Sequence, residues 1–196
     1  MTGTTHQRTP VRELAFQATR ERILQVAAAA FTARDYDDVT LRAIATGAGA
    51  ALQTVVNHFG TKDQLLGAVT VAVGDSIESA RWSVEPGNVP GAIELLVDDY
   101  ERTAEFTLRM LSLEERVPSV LPSLERGRQG HEAWVAHVFG ESLSRLPLSA
   151  RRRRLLQLIV VTDIYTWKLL RRDKGLDRKQ TTTAMLELAL ALTDET

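Results

Sequence analysis

The feature that most constrains this chain is a run of short helical signals between Thr19 and Leu66, each with its own start and stop. Ile23, Val26, Ala27, Ala30 and Phe31 recur at helical spacing and form one apolar stripe. That predicts a helix from Thr19, with Thr19 as its cap and Glu21 at the positive end of its dipole. Asp35-Tyr36-Asp37-Asp38 breaks the pattern. Thr40 then caps a second, short helix with Leu41, Ile44 and Ala45 inward, and Gly47 and Gly49 close it. A third helix is expected over about Ala51–His58, with Leu52, Val55 and Phe59 available for the core. Thr61-Lys62-Asp63-Gln64 reads as a capping box that opens a fourth helix towards Trp82.

A helix-turn-helix unit must bury a small three-helix core and turn sharply between its second and third helices. It must also offer short side chains to a major groove and donors to phosphates. Residues 19–66 meet each need. The Gly49 turn brings the third helix round, and that helix presents Ala51, Gln53, Thr54, Val56 and Asn57, with Leu52 and Arg42 as further candidate contacts. Gln and Asn side chains pair with adenine, and Ala and Val meet a thymine methyl. His58 and Lys62 are candidates for phosphate, His58 with packing beside Phe59 as its other reading. Backbone N–H groups at the helix starts marked by Thr40 and Thr61 add anion sites that need no charge.

The run Arg22-Ile23-Leu24 … Ala27 … Phe31 … Tyr36 … Thr40-Leu41-Arg42-Ala43-Ile44-Ala45 … Ala48-Gly49 … Thr54-Val55-Val56-Asn57-His58-Phe59-Gly60-Thr61-Lys62-Asp63-Gln64-Leu65-Leu66 resembles the DNA-binding head of TetR-family regulators. The resemblance implies an all-α fold, a homodimer, a palindromic operator, and repression relieved by a small ligand held in a helical body. The chain departs from the family pattern at three places. Asp35 stands where the family usually has Gly. Ala50-Ala51 replaces Val-Ser, so the third helix lacks a hydroxyl cap, at a cost of about 1 kcal/mol. Val56 replaces a tyrosine that commonly reaches a phosphate.

Bulk charge does not announce DNA binding. The chain has a formal net charge of −1, and its first 66 residues carry seven basic and six acidic side chains. Placement has to carry the case instead. Hydrophobic residues make up 44% and charged residues 25%, enough apolar material for a sizeable core. There is no cysteine, which excludes disulfides and thiolate chemistry and suits a reducing cytoplasm. The longest apolar stretch, Leu155–Val161, is interrupted by Gln157 and is too short to span a membrane, and no secretory signal is read at the N-terminus.

Residues 1–18 read as a flexible arm, with Arg8 and Arg12 either idle or touching DNA. The rest, 67–196, reads as a ligand-binding and dimerisation body. After the Pro86–Gly91 break, helices are expected near 91–115, 118–127, 129–145, 148–173 and 177–194, giving about nine in all. Tyr100, Phe106, Met110, Trp134, Tyr165 and Trp167 are candidates to line a ligand cavity, with plain core packing as the other reading. Arg109 is the candidate polar contact there. The penultimate helix is apolar on nearly every side, which suggests burial against both the body and a twin subunit. Leu155, Leu158, Ile159, Thr162 and Leu169, with Met185, Leu188 and Leu192 of the last helix, are the candidate dimer interface.

Three other features take quieter readings. Arg151–Arg154 point all round a helix and form no single basic face, which suits solvation or salt bridges between subunits. His131 and His137 have the wrong spacing for a metal pair and read as core or pocket-edge residues, so no metal or cofactor is expected. No nucleophile–base pair or glycine-rich phosphate loop argues for an enzyme. The alternative to a ligand-released repressor is a DNA-binding regulator controlled by protein contacts.

Overall fold

The computed structural model describes residues 10–193. Arg8 lies outside the described residues. The described residues are helical throughout, with no strand. Helix α1 spans Pro10–Ala33. A single 3-10 turn, Tyr36–Asp38, leads to α2 (Leu41–Gly47) and α3 (Leu52–Phe59). Helices α4 (Lys62–Arg81) and α5 (Val89–Ser112) are long, and a turn at Pro118–Val120 leads into α6 (Leu121–Val138). Then come α7 (Gly140–Ser144), α8 (Leu148–Thr162), α9 (Ile164–Lys168) with a π-helical turn over Leu169–Asp173, and α10 (Arg178–Thr193).

Three boundaries differ from the sequence expectation, each for a local reason. Helix α1 begins at Pro10, so residues 10–18 of the expected arm are helical. Proline suits a first helical turn, where its missing N–H is no loss. Thr19 does not cap anything. It is mid-helix, and its hydroxyl donates back to the Ala15 carbonyl at 2.8 Å. The break expected near residue 128 is absent, because α6 runs straight through Gly127 and Gly130. The helix expected over 148–173 breaks instead at Asp163, whose extended backbone lets its carboxylate accept from the Tyr165 N–H at 2.8 Å and start α9.

Burial is organised around two cores. One joins the first four helices to the end of α5 and the start of α6: Ile23, Phe31, Ile44, Val55 and Leu65 share it with Phe106, Met110 and Leu124. The other fills the body around Ile93, Trp134, Phe139, Leu158 and Met185. Residue 66, the expected end of the head, falls inside α4, which continues into the body with no linker. Two ion pairs reinforce that junction: Arg109 to Asp35 at 2.8 Å and Arg116 to Asp37 at 2.7 Å.

Candidate nucleic-acid interface and body cavity

The head is assembled from its caps inward. The Thr40 hydroxyl accepts from the Ala43 N–H at 3.1 Å and starts α2. Gly49 then takes φ 59°, a left-handed conformation that glycine adopts without a Cβ clash, and the chain reverses into α3. Arg22 of α1 donates from Nε to the Ala48 carbonyl at 2.8 Å and so holds that turn from outside. Nothing in the sequence pattern singled Arg22 out for this task, since its partner lies on the far side of the turn. At the other end of α3, Gly60 takes φ 73°. The capping box at Thr61 is complete: Gln64 N–H donates to Thr61 Oγ1 at 3.2 Å, and Thr61 N–H donates to Gln64 Oε1 at 2.9 Å. Ala51 caps α3 with no side-chain hydrogen bond.

With Val55 and Phe59 buried, the other side of α3 faces out. Ala51, Leu52, Gln53, Val56 and Asn57 are exposed, and Thr54 is half-buried. Thr40 and Arg42 of the α2 start and Thr61 of the α4 start are exposed as well. Gln53 Nε2 donates to Asn57 Oδ1 at 2.9 Å. The two amides are thus held as one unit, with an acceptor on Gln53 and a donor on Asn57 left pointing away from each other.

His58 and Lys62 are turned inward relative to the sequence expectation. His58 is half-buried and stacks on Phe16 of α1, ring centroids 4.0 Å apart, so the packed reading describes it. Lys62 donates to the Tyr36 carbonyl at 2.9 Å, with its ammonium 4.1 Å from the Tyr36 ring centre. The Tyr36 hydroxyl donates to the Asp63 carboxylate. Burial first, and Asp63 second, push that phenol well above its ordinary range. Together these three residues clip the 36–38 turn to the start of α4.

This arrangement has relatives. The family model of bacterial regulatory proteins of the tetR family matches residues 23–69. Residues 23–69 are thus similar to the DNA-binding head of tetR-family regulators. Solved structures of the same fold extend the likeness over the body. A tetR-family transcriptional regulator from Streptomyces coelicolor is 19% identical with TM-score 0.69, covering 88% of this chain and 81% of that one. A TetR transcription regulator from Haloarcula marismortui is 19% identical with TM-score 0.66, covering 91% and 97%. A regulator of the TerR/AcrR family from Aquifex aeolicus is 17% identical with TM-score 0.66, covering 89% and 98%. No curated protein sequence matches the chain.

The helical body holds a cavity of about 290 Å³ between α4, α5, α6 and the α8–α9 junction. Tyr100, Phe106, Met110, Trp134 and Tyr165 line it. Two of the expected lining residues do not. Arg109 points to the head and pairs with Asp35, 74 residues away in the chain. Trp167 is 2% exposed and packs in the body core, its ring 6.0 Å from that of Tyr100. The cavity's polar end was not foreseen. Arg81 donates to Asp99 at 3.1 Å and to His131 Nδ1 at 3.2 Å, and His131 Nε2 lies 3.1 Å from Thr162 Oγ1. These residues come from four helices, and no local spacing joins them. His137, on the other hand, sits at the edge against Trp82. No cluster among the described residues has the donors to hold a metal ion.

The candidate dimer face needs correcting residue by residue. Leu158, Thr162 and Met185 are each 0% exposed within one subunit, so they cannot meet a partner. Ile159 lines the cavity. Leu155 is half-buried against the body core. Leu188 and Leu192 do line a shallow outer groove on α8 and α10, and their neighbours there are Leu156 and Val160. Leu169 is 47% exposed on the π-helical turn. The correction has a simple cause: α8 carries apolar residues on every side, so the pattern could not tell the inward pair Leu158/Thr162 from the outward pair Leu156/Val160. The arginine run divides similarly. Arg151 and Arg154 donate to carbonyls of their own chain, Arg152 pairs with Glu132 at 3.1 Å, and Arg153 borders the groove.

Proposed function

We propose that this TetR-family regulator is a homodimeric repressor, held on a palindromic operator by its two heads and released by a small, mostly apolar ligand. The observation that carries the reading is the continuity of α4. Leu65 and Leu66 of that helix sit in the head core, and Thr70, Ile77 and Arg81 of the same helix line the body cavity. A guest that fits better with α4 displaced biases the head towards positions that no longer match the operator. The cavity also speaks against control by protein contacts alone. In this reading Gln53 and Asn57 face adenine edges, Ala51 and Val56 face thymine methyls, and phosphates meet the N–H groups at the starts of α2 and α4.

The second subunit covers the groove on α8 and α10. Leu156, Val160 and Leu188 are 45%, 65% and 47% exposed there, a set of large apolar side chains that an isologous four-helix contact would bury. No described helix is long and apolar enough to cross a membrane. In this reading the protein works beside the chromosome in the cytoplasm.

The test is a gel shift on the DNA flanking the protein's own gene, and on DNA selected from the genome, titrated with salt and unrelated competitor. Competitor-resistant binding with two subunits per site is expected. The Gln53→Ala/Asn57→Ala variant should keep its fold and lose selectivity, by about 1–3 kcal/mol for each base contact removed. Parent-like affinity and selectivity in that variant would refute the base-reading assignment. Binding as a monomer would refute the dimer.

A further inference from the structure

The cavity exists because side chains are missing from its wall. A Cβ built on Gly127 or Gly130 meets nothing within 4 Å, and one on Gly74 meets only Arg126, at 3.8 Å. The volume is near the lower end of the roughly 300–1,000 Å³ typical of ligand sites, so the guest is ring-sized. Most of the wall is apolar or aromatic, with Ile77, Phe106 and Trp134 prominent.

At one end stands a buried polar chain. Asp99 is 1% exposed and accepts from Arg81 Nε at 3.2 Å and Nη2 at 3.1 Å. His131 accepts at Nδ1 from Arg81, so its proton is on Nε2, facing Thr162 Oγ1. The Thr162 hydroxyl in turn donates to the Leu158 carbonyl at 2.8 Å. Trp134 Nε1 donates to the Arg81 carbonyl at 3.1 Å and fixes the residue from behind. A guanidinium has five N–H donors, and Asp99 and His131 use three. Tyr100 also lies within reach of Arg81, and because Arg81 lines the cavity its remaining N–H is the donor a guest would meet there.

Arg81 already has a counter-ion. Asp99 pairs with Arg81 at 3.1 Å and, through its other oxygen, with the exposed Arg102 at 3.4 Å, and burial together with the Arg81 charge pushes His131 down to about 3, so it is neutral. The rim adds no free cation: Arg126 pairs with Asp75 and Glu78, and Arg128 with Glu114 and Glu125. A carboxylate entering here would have to compete with the buried Asp99 for Arg81, and an ammonium would be repelled by Arg81.

Resting on the reading of this cavity as the effector site, we propose that the effector is an uncharged, largely apolar, ring-sized molecule whose carbonyl-type oxygen accepts a hydrogen bond from Arg81. The test uses probes of one shape that differ only at the head: benzylacetone (neutral acceptor), hydrocinnamate (anion), phenylpropylamine (cation) and butylbenzene (no polar atom). Binding to the full chain is read by tryptophan fluorescence and thermal shift. Benzylacetone should bind about tenfold more tightly than each of the others, the order expected of one hydrogen bond from a charged donor. The Arg81→Met/Asp99→Leu variant removes both charges together; it should erase that preference and still take up butylbenzene. Gly130→Leu fills the room and should abolish binding of all four. Hydrocinnamate or butylbenzene binding as well as benzylacetone overturns the proposal, as does a preference that survives in Arg81→Met/Asp99→Leu or binding that survives in Gly130→Leu. If the double variant does not fold, the ranking on the parent and the Gly130→Leu result decide alone. Failure of all four probes overturns the proposed chemistry. The wider effector reading fails only if a broad set of apolar compounds also leaves operator binding unchanged.

Discussion

Glycine does opposite work in the two halves of the molecule. In the head, Gly49 and Gly60 take positive φ and let short helices turn hard enough to share one core. In the body, Gly127 and Gly130 are ordinary helical residues whose missing side chains leave space in the cavity wall. The head is thus specified by the backbone shapes it demands, and the body by the volume it leaves empty. A shape that must match a DNA groove tolerates little change, whereas an empty wall position tolerates change and alters only what fits inside.

The comparison can be broken most directly at the head core. Phe31→Ala should cost about 3–5 kcal/mol, because Phe31 is 1% exposed, and should take operator binding with it. Urea titration followed by gel shift checks both; a loss under 1 kcal/mol would mean that the head core collapses around the gap. Next in size is the glycine contrast itself. Gly49→Val should cost about 1–2 kcal/mol at its positive φ, and Gly130→Ala should gain up to about 1 kcal/mol from helix propensity. Equal signs for the two in thermal denaturation would erase the distinction.

A third prediction concerns pH. His131 is held at about 3 in the folded chain against an ordinary 6.5, so the unfolded state binds the extra proton as pH falls from 6.5 towards 3. Stability should therefore drop over that window, by at most about 1.4 kcal/mol per pH unit from this site. Asp99, raised above its ordinary value chiefly by burial, acts in the opposite sense. Comparison with His131→Gln removes the shared Asp99 contribution: the variant should lose less stability between pH 6.5 and 4.5, measured by urea midpoint. An unchanged slope would show that His131 titrates normally. The smallest effect belongs to the junction. Asp35→Ser removes an exposed partner of Arg109 and should cost less than about 1 kcal/mol, a difference that added salt reduces.

Much of the head was legible because its constraints are local. The Ile23–Phe31 stripe, the Thr40 cap, the Gly49 turn and the Thr61–Gln64 box each lie within a few residues, and each is found where its spacing puts it. The start of α1 was missed because Thr19 has two uses, as a cap and as a back-bonding residue inside a helix. The body's helices were legible, but not their phase. Leu158 and Val160 look alike in sequence and differ from fully buried to 65% exposed. The Arg81–Asp99–His131 chain was hidden for a different reason: its members are 18 and 50 residues apart, and only the packing of α4 against α5 and α6 brings them together. Arg109 pairs with Asp35, 74 residues away in the chain, so no local spacing reveals where it points.

Three helices begin within the head after its first turn, and only two have a side-chain cap: Thr40 serves α2, Thr61 serves α4, and Ala51 leaves α3 without one. The first turn of α3, the helix proposed to face DNA, is therefore the loosest start of the three. In amide exchange, Thr54, whose N–H has only the Ala51 carbonyl, should trade its hydrogen with solvent sooner than Ala43 and Gln64, whose N–H groups go to the Thr40 and Thr61 hydroxyls. DNA docked against that end would slow it most, so the exchange rate of one backbone hydrogen becomes a local gauge of operator occupancy.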